Sequence, residues 1–313
     1  MRILITGGSG YLGGRIASGS FDSCHIVRLG SRNPVPGPNC AAEIETSAMD
    51  VLDVDGVMDA LKSVKSVIHL ASMNARDCDA DPVKALRVNT MGVLNTLMAA
   101  IASGVERFIY VSTVHVYGST LSGEISEKTL PNPVHPYTIS HRAAEDYVLA
   151  AHRTRRICGL VIRLANGFGA PRRIGADCWM LLVNDLCRQA VRNRKLVLHS
   201  SGLQQRNFVT ISDVERAIRH LLVLPERECS DGLFNLGGEA SISIWQMVQQ
   251  IAGRCEAVLG FRPEIIRPEP NPGESHQSFS YNIEKLKKTG FYLLERFDDE
   301  IDKTLLFCKK VFE

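Results

Sequence analysis

The chain has 313 residues, 45% hydrophobic and 22% charged, with 36 Lys and Arg against 34 Asp and Glu. This is the composition of one large or two modest globular domains, and a net charge of +2 makes no electrostatic case for nucleic acid or an anionic membrane. Nine scattered cysteines with no C-x-x-C argue against a disulfide framework or a metal site. The absence of room for a leader before the first strand, and of any apolar run of bilayer length, adds the expectation of a cytoplasmic protein.

The first predicted element is a strand, Ile3-Leu4-Ile5. It runs through Thr6 into Gly7-Gly8-Ser9-Gly10-Tyr11-Leu12-Gly13, a Gly-x-x-Gly-x-x-Gly turn that opens a helix at Tyr11. Glycines there let the backbone approach a pyrophosphate, and the free N–H groups of the helix N-terminus hold the anion. A second strand is predicted over 24–29. After a long loop, Asp50 and Val51 are placed to meet an adenine, although Asp50 reads equally well as the cap of a helix starting near Val54. Further strands fall over 64–70, 107–112 and 159–164, with helices over 83–104 and 140–154 between them. Strands of continuous apolar character separated by helices imply a parallel sheet covered on both faces.

After about Asn166 prolines and glycines become frequent, and helical stretches over 178–192, 212–224 and 244–254 alternate with short strands such as 195–198. The fold class is therefore α/β: a Rossmann-type doubly wound parallel sheet with a smaller mixed C-terminal region. The expected division is a dinucleotide-binding domain over 1–165 plus about 207–225, and a substrate-binding region over 166–206 and 226–313.

In such a fold the end of the second strand meets the adenosine ribose. An acid there favours NAD, and an arginine nearby accepts the 2′-phosphate of NADP. No acid lies between Asp22 and Glu43, and the strand runs out in Arg28-Leu29-Gly30-Ser31-Arg32-Asn33. Ser31 and Arg32 supply hydroxyl and guanidinium donors for a phosphate. This favours NADP(H) and leaves NAD(H) open, with Arg28 and Arg32 then read as solvated loop charges.

Three more segments carry chemistry: His69-Leu70-Ala71-Ser72, Ser112-Thr113-Val114-His115-Val116-Tyr117-Gly118 and Tyr137-Thr138-Ile139-Ser140-His141. With the glycine turn, and with Arg163 to Gly169, Gln205 to Asp213 and Phe234 to Gly237 in the same order, they resemble the extended short-chain dehydrogenase/reductase family, in its group that modifies nucleotide-sugars. The resemblance covers essentially the whole chain. It implies hydride transfer at a sugar carbon, with Tyr137 as the base and Thr113 hydrogen-bonding the sugar oxygen. It implies cofactor contacts at Gly7, Gly10, Tyr11, Leu12, Gly13, Leu70, Ala71, Ser72, Val111, Tyr137 and His141, with Asn89 supporting the active-site helix from the same set. Asn74, Asn166 and Arg206 would join Thr113 in holding the nucleotide-sugar, and the loops over 72–81 and 171–180 would line the sugar pocket. A homodimer through the helices over 83–104 and 140–154 is also implied, although the same helices read as an intramolecular pair.

His141 departs from the family pattern Tyr-x-x-x-Lys. Four residues is one helical turn, so His141 still stacks beside Tyr137. An imidazole can bond a ribose hydroxyl but is charged only when protonated, and its unperturbed pKa is about 6.5. It is read as a working substitute for the lysine, with a slow or acid-shifted enzyme, or a catalytically weakened nucleotide-binding regulator, as the alternatives. Family 4,6-dehydratases carry an Asp-Glu pair directly after the threonine, where this chain has Val114 and His115. The resemblance thus points away from dehydration and leaves 4-epimerisation and 4-keto-sugar reduction level. An arginine the family places before a C-terminal Gly-Asp is missing from Pro270-Asn271-Pro272-Gly273-Glu274, with Arg262 or Arg267 as candidate replacements.

Overall fold

A computed structural model describes residues 1–19, 21–38, 40–274 and 278–313. Seven strands form one all-parallel sheet, and only these are numbered: β1 (Arg2–Thr6), β2 (Ile26–Ser31), β3 (Glu43–Ala48), β4 (Ser66–His69), β5 (Arg107–Thr113), β6 (Cys158–Leu164) and β7 (Leu233–Leu236). Across the sheet they run β7-β6-β5-β4-β1-β2-β3. The strand order reverses between β1 and β4, and in open α/β sheets the ligand crevice lies beyond the carboxyl ends at that point.

Side chains alternate across the strands and build two cores. Ile3, Ile5, Ile109, Val111, Leu160 and Ile162 pack on one face. Leu4, Phe108, Tyr110 and Val161 pack on the other. Each such side chain, fully buried, contributes about 1.5–3 kcal/mol relative to exposure. A third core sits beyond the sheet among the helices Leu182–Asn193, Ile244–Leu259 and Phe297–Phe312.

Several expectations shift. Leu233–Leu236, assigned to the substrate-binding region, pairs with β6 as the last strand of the large sheet. β3, read as part of a loop, pairs with β2 over six residues; its Glu43-Ile44-Glu45-Thr46-Ser47-Ala48 has too few apolar residues to read as a strand. The helix Phe297–Phe312 lies where no element is predicted. It is tied to the first helix through Arg15, which pairs with Glu300 and Glu215, both at 2.8 Å. The helical stretch Pro82–Ala102 overturns the reading that no apolar run is of bilayer length, since its 21 residues are long and apolar enough by composition. Half of it is buried, and it packs on the helix Pro136–Arg153, as the core helix of a folded domain does.

Candidate active site

Two adjoining cavities open beyond the carboxyl ends of the strands, with Leu70, Ser72 and Asp177 in the walls of both. The first, about 740 Å³, is lined by Gly7, Gly10, Ser31, Arg32, Asp50, Val51 and Ala71. Its floor is the glycine turn. Gly7 has φ +67°, and a Cβ on it would lie 3.0 Å from the Ala71 nitrogen. On Gly13 a Cβ would lie 2.5 Å from the Gly7 carbonyl oxygen. The turn closes only without side chains, and it leaves the first amides of the helix Tyr11–Gly19 without intrahelical acceptors. That cradle fits a dinucleotide pyrophosphate.

Around the rim, Ser31 Oγ lies 2.8 Å from Ser9 Oγ, and Arg32 is exposed. Arg28 is neither a phosphate donor nor a solvated loop charge: it pairs with Glu45 at 2.8 Å and donates to the Ala60 carbonyl at 2.7 Å. Asp50 does not cap the helix Val54–Ala60, whose N-cap is Asp53; its Oδ1 accepts the Leu52 N–H at 2.9 Å. Arg173, which no motif marks, donates to the Ser9 carbonyl at 2.8 Å and lays the loop over 171–180 across the glycine turn.

The second cavity, about 450 Å³, gathers Thr113, Tyr137, His141, Asn74, Asn166 and Arg206, against walls that include Tyr11, Leu12 and Val111. Thr113 ends β5. Tyr137 stands in the first turn of the helix Pro136–Arg153, and its phenol shares the cavity wall with the Thr113 hydroxyl beside it. Of the residues predicted from sequence, Gly13 and Asn89 line neither cavity.

Asn89 acts from behind and does not touch a cofactor space. It lies fully buried in a π-helical turn, Leu86–Met91, a distortion frequent at functional sites. Its Nδ2 donates to Ser140 Oγ at 3.0 Å, and its Oδ1 accepts the Met73 N–H at 2.7 Å. Thr90 Oγ1 donates to the Ser140 carbonyl at 2.8 Å. One turn further along, the buried Glu145 accepts from Ser112 at 2.6 Å and from Arg163 at 2.7 Å. These bonds fix the active-site helix against β5 and β6.

The electrostatics follow from burial. Burial pushes the Tyr137 phenol up to about 12, against the lowering effect of the neighbouring Thr113 hydroxyl. Burial and the neighbouring His69 push His141 down to about 3, so it is neutral at physiological pH. His115 is lowered first by burial and then by Arg206 and His135, and it also presents a neutral ring to the cavity.

Arg206 lies on the strand Gln205–Thr210, and Thr210 caps the helix after it. Its guanidinium donates to the Gln205 carbonyl at 3.2 Å, and among the described residues no carboxylate pairs with it. The candidate replacements for the missing C-terminal arginine point elsewhere: Arg262 pairs with Glu256 at 3.1 Å, and Arg267 stacks 3.7 Å over the Trp245 ring. Trp179 packs on Phe312 at 5.1 Å, while Met180 lines the cavity.

A parallel sheet in this order, with a glycine turn on its first strand and a polar cluster over β5, defines a dinucleotide-binding α/β protein. The chain belongs to the NAD dependent epimerase/dehydratase family, whose model matches residues 3–237. It is 28% identical to the dTDP-D-glucose 4,6-dehydratase of Mus musculus, an alignment covering 99% of this chain and 89% of that protein. Among solved structures it shares its fold with the UDP-glucuronic acid 4-epimerase from Bacillus cereus in complex with NAD (TM-score 0.83, 22% identity, 100% of both chains). It also shares it with RMD from Pseudomonas aeruginosa complexed with NADPH (TM-score 0.78, 22% identity, 99% of both chains).

Proposed function

We propose that the chain holds a nicotinamide dinucleotide in the larger cavity and catalyses hydride transfer at C4 of a nucleotide-activated sugar in the smaller one. The observation that carries this reading is that Tyr137 and Thr113 line one cavity together with Arg206, which no carboxylate pairs with among the described residues. A bound nicotinamide supplies the hydride acceptor or donor. Tyr137 takes or returns the proton of the sugar hydroxyl, and Thr113 orients that oxygen. Arg206 suits the diphosphate, since a guanidinium binds phosphate oxygens in a bidentate fork, with Asn166 beside it. The loop over 171–180 excludes water from the reacting atoms. For the larger cavity the glycine cradle is the support, and Ser31 with Arg32 on its rim favours NADP(H) over NAD(H).

Elimination of water is not part of the reading. Val114 is buried, His115 is neutral, and the carboxylate in the wall of the smaller cavity, Asp177, accepts from Asn74 at 3.0 Å. Among the described residues that line that cavity, Asp177 is the one carboxylate, which does not make the paired acid and base that C5 and C6 would need. Epimerase and 4-keto-sugar reductase differ in whether the cofactor leaves. The test is to denature the purified protein and identify released cofactor by mass. Tightly held NAD(H) near one per chain supports an epimerase and overturns the role given to Arg32. An empty site that binds NADPH more tightly than NADH supports the reductase.

A second reading, a nucleotide-binding regulator, is favoured by one observation: the ring packed beside Tyr137, 4.4 Å away, is a histidine that burial holds neutral, so it brings no cation to lower the phenol. Turnover of no 4-keto or 4-hydroxy nucleotide-sugar by cofactor-loaded protein would select it. We also propose a homodimer, supported by exposed apolar side chains on the two long helices: Val83, Leu86, Ile139 and Tyr147. A monomer in sedimentation would overturn it.

A further inference from the structure

Tyr110 lies on β5, on the face opposite Val111, and its hydroxyl is 2.7 Å from His141 Nδ1. The two residues are 1% and 2% exposed. The other ring nitrogen of His141, Nε2, is buried and has no hydrogen-bond partner among the described residues. Burial holds the imidazole neutral and the Tyr110 phenol un-ionised, so the pair shares one ring N–H and one O–H. If Nδ1–H donated to the phenol oxygen, the hydroxyl proton would be left without an acceptor and Nε2 would be a bare lone pair. If the hydroxyl donates to Nδ1, a single group stays unmet, Nε2–H. A buried unmet polar group costs about 1–3 kcal/mol, so the second arrangement is the stable one.

His141 lines the smaller cavity beside Tyr137, and its spare N–H, buried behind that wall, is the one polar group of the pair that no protein atom among the described residues meets. We propose that Tyr110 is a positioning residue that fixes His141 in its Nε2–H tautomer, and that this N–H donates to a ribose hydroxyl oxygen of the bound nicotinamide dinucleotide. The inference rests on the functional reading above. A lysine at this position presents donors in every rotamer. An imidazole has one proton and two nitrogens, and a partner on the far nitrogen decides which one faces the ligand. The position thus works as a neutral donor rather than as a cation.

The first test needs no variant of Tyr110 and no cofactor. Nitrogen-15 spectra of the histidine-labelled full chain, with His141 assigned by its loss in His141→Leu, are expected to show Nδ1 bare and Nε2 protonated. A protonated Nδ1 overturns the proposal. The second test is NADH and NADPH affinity by fluorescence titration. Tyr110→Phe is expected to weaken the preferred dinucleotide about tenfold, and to change affinity less than about twofold in a His141→Leu background. A tenfold loss that persists in that background means Tyr110 acts by packing alone, and the proposal falls. If neither dinucleotide binds the wild type, the ribose contact falls with the functional reading, while the spectra still decide the tautomer by themselves.

Discussion

The rings of Tyr137 and His141 lie one helical turn apart, with centroids at 4.4 Å and planes inclined by 60°. At that distance a charge on residue 141 acts strongly on the phenol, yet His141 is held neutral. A lysine ammonium about 5 Å away would favour the phenolate by about 3 kcal/mol at an effective dielectric of about 20. His141→Lys is therefore expected to move the alkaline rise of kcat down by about 1–2 pH units and to raise kcat near neutrality about tenfold. The measurement is the pH profile of kcat for both proteins. An unchanged profile would show that residue 141 does not set the ionisation of Tyr137.

Acid stability follows from the buried histidines. His69 and His141 are held at about 4 and about 3, both chiefly by burial, below the unfolded value of about 6.5. As pH falls, the unfolded chain takes up these protons before the folded one does. The stability they contribute is full above pH of about 6.5 and is lost as pH falls toward 4 and then 3, by up to about 1.4 kcal/mol per pH unit for each ring. Urea midpoints measured from pH 7.5 to 4.5 are expected to decline, and less steeply in His141→Gln. Parallel curves for the two proteins would remove His141 from this account.

Among the described residues no carboxylate pairs with Arg206, so its partner is expected to come with the substrate. Arg206→Ala should raise KM for a nucleotide-sugar about 10- to 100-fold and change kcat less, because the lost bonds to the diphosphate are equal in ground and transition states. Arg206→Lys should recover only part, since a point charge cannot reproduce the fork. A KM unchanged in steady-state kinetics of Arg206→Ala would place the diphosphate elsewhere.

The residues that line the two cavities were legible by two routes. Gly7 stood out in the residues themselves, as a glycine turn directly after an apolar strand, whereas Thr113, Tyr137 and Arg206 came with the family pattern they resemble. Residues that act at second hand were legible only in part. Asn89 was grouped with the cofactor residues but expected to support the helix, and it bonds Ser140 on that helix; the π-helical turn that holds it has no signal in the pattern. Tyr110 read as one more apolar residue of a buried strand, and its bond to His141 depends on two elements meeting. β3 was missed because an edge strand half open to solvent needs few apolar residues. The helix Phe297–Phe312 opens with Asp298, Asp299 and Glu300, a run that reads as a solvated segment until Arg15 is seen to reach Glu300.

The pair Glu145–Arg163 links that support to the chemistry. Both side chains are essentially buried, Arg163 also stacks 4.6 Å over the Tyr117 ring, and Glu145 lies two turns along the helix from Tyr137. Removing one partner leaves the other charge buried and uncompensated, which typically costs about 3–5 kcal/mol. Glu145→Gln is expected to lose stability on that scale in urea unfolding at pH 7.5, whereas Glu145→Leu combined with Arg163→Met should recover much of it, since neither charge then remains. If the pair also holds the Tyr137 helix in register with Thr113, the double variant will refold and bind dinucleotide yet turn over more slowly, because Ser112 has lost the carboxylate that ties β5 to that helix. Wild-type kcat in a stable double variant would assign the pair to folding alone.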